Sequence, residues 1–273
     1  MIPAIECEGA PRDLGLDQGR ACRERLGGSF AALPAPRRAR LRLGLRGRDA
    51  ERLRRDVSRH FPHLAESLAG LSVGARVPPD WLALELAREE PAPLGGWVRG
   101  ERARLARGLP DQPLVRRSRP EGLFASVELT RPGLVAALAG VNERGLAVAA
   151  SGRGEPAPAG CAAPAWLLAQ DCLERFAEVE AALAWCLERP GGGRGAILLA
   201  DAGGSLAGVE FDGADRRVRR PEGGELLAAG GGERPPRLRS AGGEATPESG
   251  PDAGVVVVAS ERRLELPGAA FSP

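Results

Sequence analysis

Gly140-Val141-Asn142-Glu143-Arg144-Gly145-Leu146-Ala147-Val148 is the stretch on which the reading of this chain turns. Asn142 to Gly145 is a turn tetrapeptide set between two apolar extended runs, Leu134 to Val141 and Leu146 to Ala150, so the segment reads as a β-hairpin. Upstream, Leu123 to Leu129 is a further extended run. Downstream, Ala196 to Ala200, Leu206 to Phe211, Arg216 to Arg219 and Glu225 to Ala229 read as a meander joined by glycine turns such as Gly203-Gly204 and Asp212-Gly213. Val255 to Ala259 and Arg263 to Leu266 follow as a last pair of strands. Two helices interrupt this series, Ala163 to about Arg175 and Val179 to about Arg189, the second with a full apolar face of Val179, Ala182, Leu183, Cys186 and Leu187.

The N-terminal third has a different period. Residues 2 to 8 read as a strand, and a helix then runs from the Gly9-Ala10-Pro11-Arg12-Asp13 turn to about Leu26, where Gly27-Gly28 is expected to stop it. An arginine-rich polar stretch covers Pro34 to Arg55. Phe61, Leu64, Leu68 and Leu71 recur at three- and four-residue steps behind Pro62, and Pro78-Pro79-Asp80 opens another helix through Trp81 to Ala87. The chain thus divides into a mainly helical part, 1–90, and a strand-rich part, 91–273, with the helix pair at about 163–189. Residues 238–252, rich in Gly, Pro, Ser and Glu, are expected to be a flexible loop. Strands enough for two sheets, with helix pairs to cover them, predict a layered α/β sandwich in one domain.

The 273 residues are 43% hydrophobic, enough for a sizeable core. All basic charge is arginine, and the net charge of +2 gives no strong pull toward nucleic acid or an anionic membrane, so neither is an expected partner. No window approaches the roughly 18 apolar residues of a membrane span, and no basic-then-apolar leader opens the chain, which together point to a cytoplasmic protein. The five cysteines, Cys7, Cys22, Cys161, Cys172 and Cys186, are irregularly spaced and fit reduced thiols; with no Cys-x-x-Cys pair, no metal and no cofactor are expected.

Several motifs in this order resemble the acyl-coenzyme A:6-aminopenicillanic acid acyltransferase family of N-terminal-nucleophile hydrolases. Glu8 to Gly19, with Gly15 and Gly19 four apart, is similar to its opening Gly-x-x-x-Gly element, and His60 to Ala75 to its helical element ending Gly-(Ile/Leu)-x-x-Gly-Ala. The Gly140 to Val148 hairpin matches Gly-x-Asn-x-x-Gly-Leu-x-Val. Leu199 to Gly204 with Val209-Glu210, and Arg262 to Phe271, are similar to later strands. The resemblance implies a four-layer αββα sandwich of α/β (α+β) class. It also implies amide hydrolysis or acyl transfer by a cysteine released as a new N-terminus through self-cleavage, acting on an acylated or peptide-like small molecule.

The residues that carry this chemistry are not where the resemblance calls for them. In register, the Gly-Cys-Thr of the family falls on Gly95-Gly96-Trp97, so Gly96 stands at the nucleophile. Its Asn-x-Asp falls on Gly108-Leu109-Pro110, with Asp111 adjacent, and its oxyanion-holding Asn falls on Gly230. No catalytic residue is intact on this reading, and Gly96, Asp111 and Gly230 mark a vestigial site. The alternatives are an active amide hydrolase or acyltransferase using another thiol or Ser151, and a structural partner of an active paralogue. Cys161, although it follows Gly160, sits in a Pro- and Ala-rich loop, and the other cysteines read as packing residues. His60 and His63 find no carboxylate or further His at ligand spacing and read as a solvent-facing helix start. Gly191 to Gly195 and Gly230 to Gly232 read as turns, and Arg37 to Arg59 as a solvated helix face.

Overall fold

The computed structural model describes residues 2–44, 48–86, 94–99, 102–107, 110–153, 161–228, 255–266 and 269–273. The expected loop at 238–252 lies outside them. The helical part begins with strand β1 (Ala4–Gly9) and runs through α1 (Pro11–Ala21), α2 (Arg23–Ala31), α3 (Ala35–Arg42), α4 (Arg48–His60), α5 (Pro62–Ala75) and α6 (Pro79–Leu86). Pro11 at the first helical position and Asp13 in the first turn start α1. The break falls at Cys22, and Gly27-Gly28, expected to end the helix, lie inside α2 instead. Leu26 and Phe30, one helical turn apart, are both buried and hold α2 in register through the glycines, a case of packing overriding propensity. The polar stretch expected between 34 and 55 carries α3 and much of α4, held to the core by Leu41, Leu53 and Val57.

Two glycine pairs explain how α1 and α5 pack. A Cβ on Gly15 would lie 1.8 Å from the Ser67 carbonyl oxygen, and one on Gly70 would lie 1.9 Å from that of Arg12; Gly19 and Gly74 meet backbone at 2.4 Å. Each helix therefore presents a Gly-x-x-x-Gly face to the other, and the two backbones touch.

The strand-rich part holds β2 (Leu94–Arg99), β3 (Arg102–Arg107), β4 (Leu114–Pro120), β5 (Ser126–Thr130), β6 (Ala139–Asn142) and β7 (Ala147–Arg153). A short 3₁₀ turn (Ala165–Leu167) leads into α7 (Leu168–Arg175) and α8 (Val179–Glu188). Then come β8 (Arg194–Ala200), β9 (Leu206–Asp212), β10 (Asp215–Arg219), β11 (Glu225–Ala228), β12 (Val255–Val258), β13 (Arg263–Leu266) and β14 (Ala269–Phe271). One sheet has the order β1-β4-β5-β6-β7-β8-β9-β10, and the other β11-β2-β3-β12-β13-β14. Among the described strands only β1 and β4 pair in parallel, and Pro164 and Gly192 form an isolated parallel bridge.

The fold is of mixed α/β class. Along β7 and β8, Val148, Ala150, Ile197 and Leu199 face the helices, while Ala147, Ala149, Ala196 and Leu198 alternate toward the six-stranded sheet. A sheet covered on both faces shows unbroken apolar runs, which is why these strands read as continuous rather than alternating. Helices, eight-stranded sheet and six-stranded sheet thus form three successive layers. Among the described residues no helix joins the apolar cluster on the six-stranded sheet.

The hairpin at 140–148 forms between β6 and β7, but the first run, expected to extend from Leu134, pairs as a strand only from Ala139. Asn142 is buried, and its Oδ1 accepts from the backbone N–H of Arg144 (3.0 Å) and Leu146 (2.9 Å). Its Nδ2 donates to the carbonyls of Leu173 and Phe176, each at 2.8 Å, which ties the hairpin to the end of α7. Gly145 takes φ +88°, a backbone state that other residues adopt only under strain.

Candidate functional site

The backbone places Gly96 on β2, the second strand of the six-stranded sheet, paired on both sides. It pairs with Leu105 of β3 on one side and Leu226 of β11 on the other, and both leucines pack into the layer between the two sheets. Residues directly opposite share a face, so the position at which the resemblance calls for a thiol is directed into that inter-sheet layer, and Gly96 itself is buried. Leu94 pairs with Arg107 and with Ala228, so the chain toward Asp111 and the chain toward Gly230 both leave the sheet at the end where β2 begins. Asp111 is exposed in the turn before β4, beside Gln112 at φ +53°. Gly230, like Gly108, lies outside the described residues.

Four of the thiols, Cys7, Cys22, Cys161 and Cys172, are poor nucleophiles where they stand. Burial pushes Cys7 up to about 12 and Cys22 up to about 11, despite the lowering influence of nearby arginines, Arg116 on Cys7 and Arg25 on Cys22. Burial also raises half-buried Cys161, and the Cys186 thiol together with burial raises Cys172, the two sulfurs being 3.6 Å apart. A thiol so raised is protonated near neutrality and does not attack carbonyls readily. Ser151, on the same alternation as Ala147 and Ala149, faces the inter-sheet layer; its buried Oγ has no hydrogen-bond partner among the described residues.

A polar network, not legible in the sequence, fills the interface between the helices and the eight-stranded sheet. Arg116 of β4 and Glu128 of β5 are cross-strand partners, both buried, with Nε donating to Oε2 at 2.6 Å. Arg116 also donates to Gln18 Oε1 (2.7 Å), Gln170 Oε1 (3.1 Å) and the Val135 carbonyl (3.0 Å). Gln18 Nε2 reaches the Pro132 and Leu134 carbonyls, and Ser126 donates to Glu128 Oε1. A buried charge so fully partnered ties α1, α7 and two strands to one geometry.

Gln170 carries the network outward, its Nε2 donating to Glu128 Oε1 (2.9 Å) and Glu174 Oε1 (3.0 Å). Glu174 and Asp171, one turn apart on α7, meet His63 in the first turn of α5. His63 Nε2 lies 2.9 Å from Asp171 Oδ1 and 3.8 Å from Glu174 Oε2. Burial pushes the Glu174 carboxyl up to about 6, opposed by the His63 charge; burial works against the His63 cation too, but the Asp171 and Glu174 carboxylates outweigh it and raise its pKa. The expectation of a solvent-facing histidine with no carboxylate nearby is thus corrected: the His63 side chain is 14% exposed and two acids face it. Those acids lie more than a hundred residues away, and only the i, i+3 spacing of Asp171 and Glu174 on a helix hints at them in sequence.

The remaining sequence candidates stay structural. Gly193 takes φ +78° in a turn, and a Cβ on Gly192 would lie 1.8 Å from the Cys161 carbonyl oxygen. Within the arginine-rich segment, Arg54 donates to Asp80 at 2.9 Å, and Asp56 accepts from the Ala162 N–H at 2.8 Å. No described helix is long and apolar enough to cross a membrane.

No protein-family model matches the sequence, and no curated relative matches it either. Among solved structures, a mutant of the conjugated bile acid hydrolase from Clostridium perfringens overlaps 49% of this chain and 52% of its own, at 13% identity and a TM-score of 0.33. Penicillin V acylase from Agrobacterium tumefaciens overlaps 49% of this chain and 44% of its own, at 19% identity and a TM-score of 0.30. The chain therefore spans about half the length of the solved structures it is similar to.

Proposed function

We propose that this protein is a non-catalytic relative of the acyltransferases and amide hydrolases its motifs resemble, keeping the sheet pair and a binding role toward an acylated or peptide-like small molecule. The observation that carries this reading is Gly96, buried between Leu105 and Leu226 with no side chain to present. Replacing a nucleophile by hydrogen removes the attacking atom at that position. Supporting it, burial raises the thiols of Cys7, Cys22 and Cys161, and a second thiol with burial raises that of Cys172.

Ser151 supports a second reading, because its unpartnered buried Oγ faces the same layer as position 96. It has no imidazole to activate it: His60 ends α4 and His63 begins α5, both in the helical layer, and these are the two histidines of the chain. A panel of acyl-amides assayed with the wild-type protein and with Ser151→Ala and Cys161→Ala separates the readings. Background hydrolysis throughout is expected. Turnover well above background that either substitution abolishes overturns the non-catalytic reading.

A further inference from the structure

We infer that His63, Asp171 and Glu174 form a binding site for a divalent transition-metal ion of the Zn²⁺ type. Three atoms, His63 Nε2, Asp171 Oδ1 and Glu174 Oε2, lie within 4.8 Å of one another. All three atoms are buried; Nε2 and Oδ1 lie 2.9 Å apart as an ion pair without good hydrogen-bond alignment, and Glu174 Oε2 has no hydrogen-bond partner among the described residues. The carboxylates are nearly sealed, their side chains being 4% and 6% exposed. A buried carboxylate oxygen left without a partner costs about 1–3 kcal/mol, so Glu174 Oε2, facing the His63–Asp171 pair at 3.8 Å, calls for a shared occupant.

The surroundings are those of ligand residues. Asp171 turns its other oxygen, Oδ2, to the Trp185 indole N–H at 2.9 Å, and Glu174 turns Oε1 to Gln170 at 3.0 Å. Outer hydrogen bonds of this kind fix which carboxylate oxygen points inward and orient it for a metal. With metal–ligand bonds of about 2.1 Å, separations of 2.9 and 3.8 Å correspond to ligand–metal–ligand angles of roughly 90° and 130°, suited to a four- or five-coordinate ion. One imidazole and two carboxylates select a borderline cation over the hard alkaline-earth ions, which take oxygen alone. The Arg175 Nε, 4.0 Å from Asp171 Oδ1, is the competing cation; its side chain is 38% exposed and its guanidinium lies 6.0 Å from the Trp185 ring.

Titration of the metal-free full-length protein with Zn²⁺ alone, followed by calorimetry, tests this. Mn²⁺ followed by electron paramagnetic resonance gives a second arm indifferent to thiols. One ion per chain is expected. His63→Ala and Glu174→Gln should each weaken binding at least 100-fold, Trp185→Phe about 10-fold, and His60→Ala not at all. Circular dichroism of each variant separates loss of the site from loss of the fold. Absence of stoichiometric binding of either ion to the wild type, or equal affinity in folded His63→Ala, overturns the site and leaves a plain histidine–carboxylate ion pair.

Discussion

Gly70→Ala sets two well-measured effects against each other. In a helix interior, alanine is favoured over glycine by about 1 kcal/mol, so propensity alone predicts a gain. At Gly70 the added methyl would lie 1.9 Å from the Arg12 carbonyl oxygen and 2.9 Å from the Leu16 nitrogen, where ordinary contact begins at 3.4 Å. Both obstacles are backbone, so no rotamer change relieves them, and α1 must move away from α5 by roughly 1.5 Å. Overpacking of this kind costs about 1–3 kcal/mol and more where relaxation is blocked, so a net loss of about 2–4 kcal/mol is expected. Gly27→Ala is the matched control, since that helical glycine has nothing within 4 Å of its would-be Cβ and should gain about 0.5–1 kcal/mol. Urea unfolding followed by circular dichroism measures both; at roughly 2–4 °C per kcal/mol the melting temperatures should move in opposite senses, that of Gly70→Ala by about 5 °C or more. Equal or higher stability in Gly70→Ala would refute the backbone-contact account of this helix pair.

Three further outcomes follow from the network, the hairpin and the thiols. Arg116→Met strands the buried Glu128 carboxylate and should cost about 3–5 kcal/mol in urea unfolding, most of it recovered by adding Glu128→Leu; additive losses would contradict the pairing. Asn142→Ala removes four hydrogen bonds and leaves the Leu173 and Phe176 carbonyls short of a donor, so a loss of about 3 kcal/mol is expected, and a change below about 1 kcal/mol would contradict its role. For the thiols, the folded-state pKa values of Cys7 and Cys22 lie above their unfolded values, so their contribution is full below about pH 9 and is lost as pH rises toward 11 and 12. A thiol reagent at pH 8 should therefore modify at most Cys161 rapidly in the native protein and all five cysteines in denaturant; fast native labelling of Cys7 would contradict its burial.

The elements legible from sequence were those whose signal is local. The Asn142 to Gly145 turn, the α5 stripe of Phe61, Leu64, Leu68 and Leu71, and the Val179 to Cys186 face needed no partner to be recognised, although Leu187, expected on that face, is exposed at the end of the helix. The strand β4 was not legible, because Leu-Val-Arg-Arg-Ser-Arg-Pro reads as polar surface until Glu128, Gln18 and Gln170 are brought around Arg116. The Gly-x-x-x-Gly spacings were visible, but that they face each other is a fact of tertiary structure. The same holds for the His63 cluster, since spacing along the chain carries no information about an acid that α7 delivers from a distance. Gly96 is the converse case: the sequence identified the position by resemblance, and the strand pairing supplies its direction, inward between the sheets.

Position 96 holds no nucleophile, and intact-mass spectrometry with N-terminal sequencing of the purified protein reads the consequence. Self-cleavage needs a side chain that attacks the carbonyl just before it, and at Gly95-Gly96 there is only hydrogen. One unbroken polypeptide of 28.5 kDa, with no α-amine generated between residues 90 and 100, is expected. Two fragments meeting in that interval would mean that processing proceeds without the thiol, and the reading of this chain as non-catalytic would be wrong.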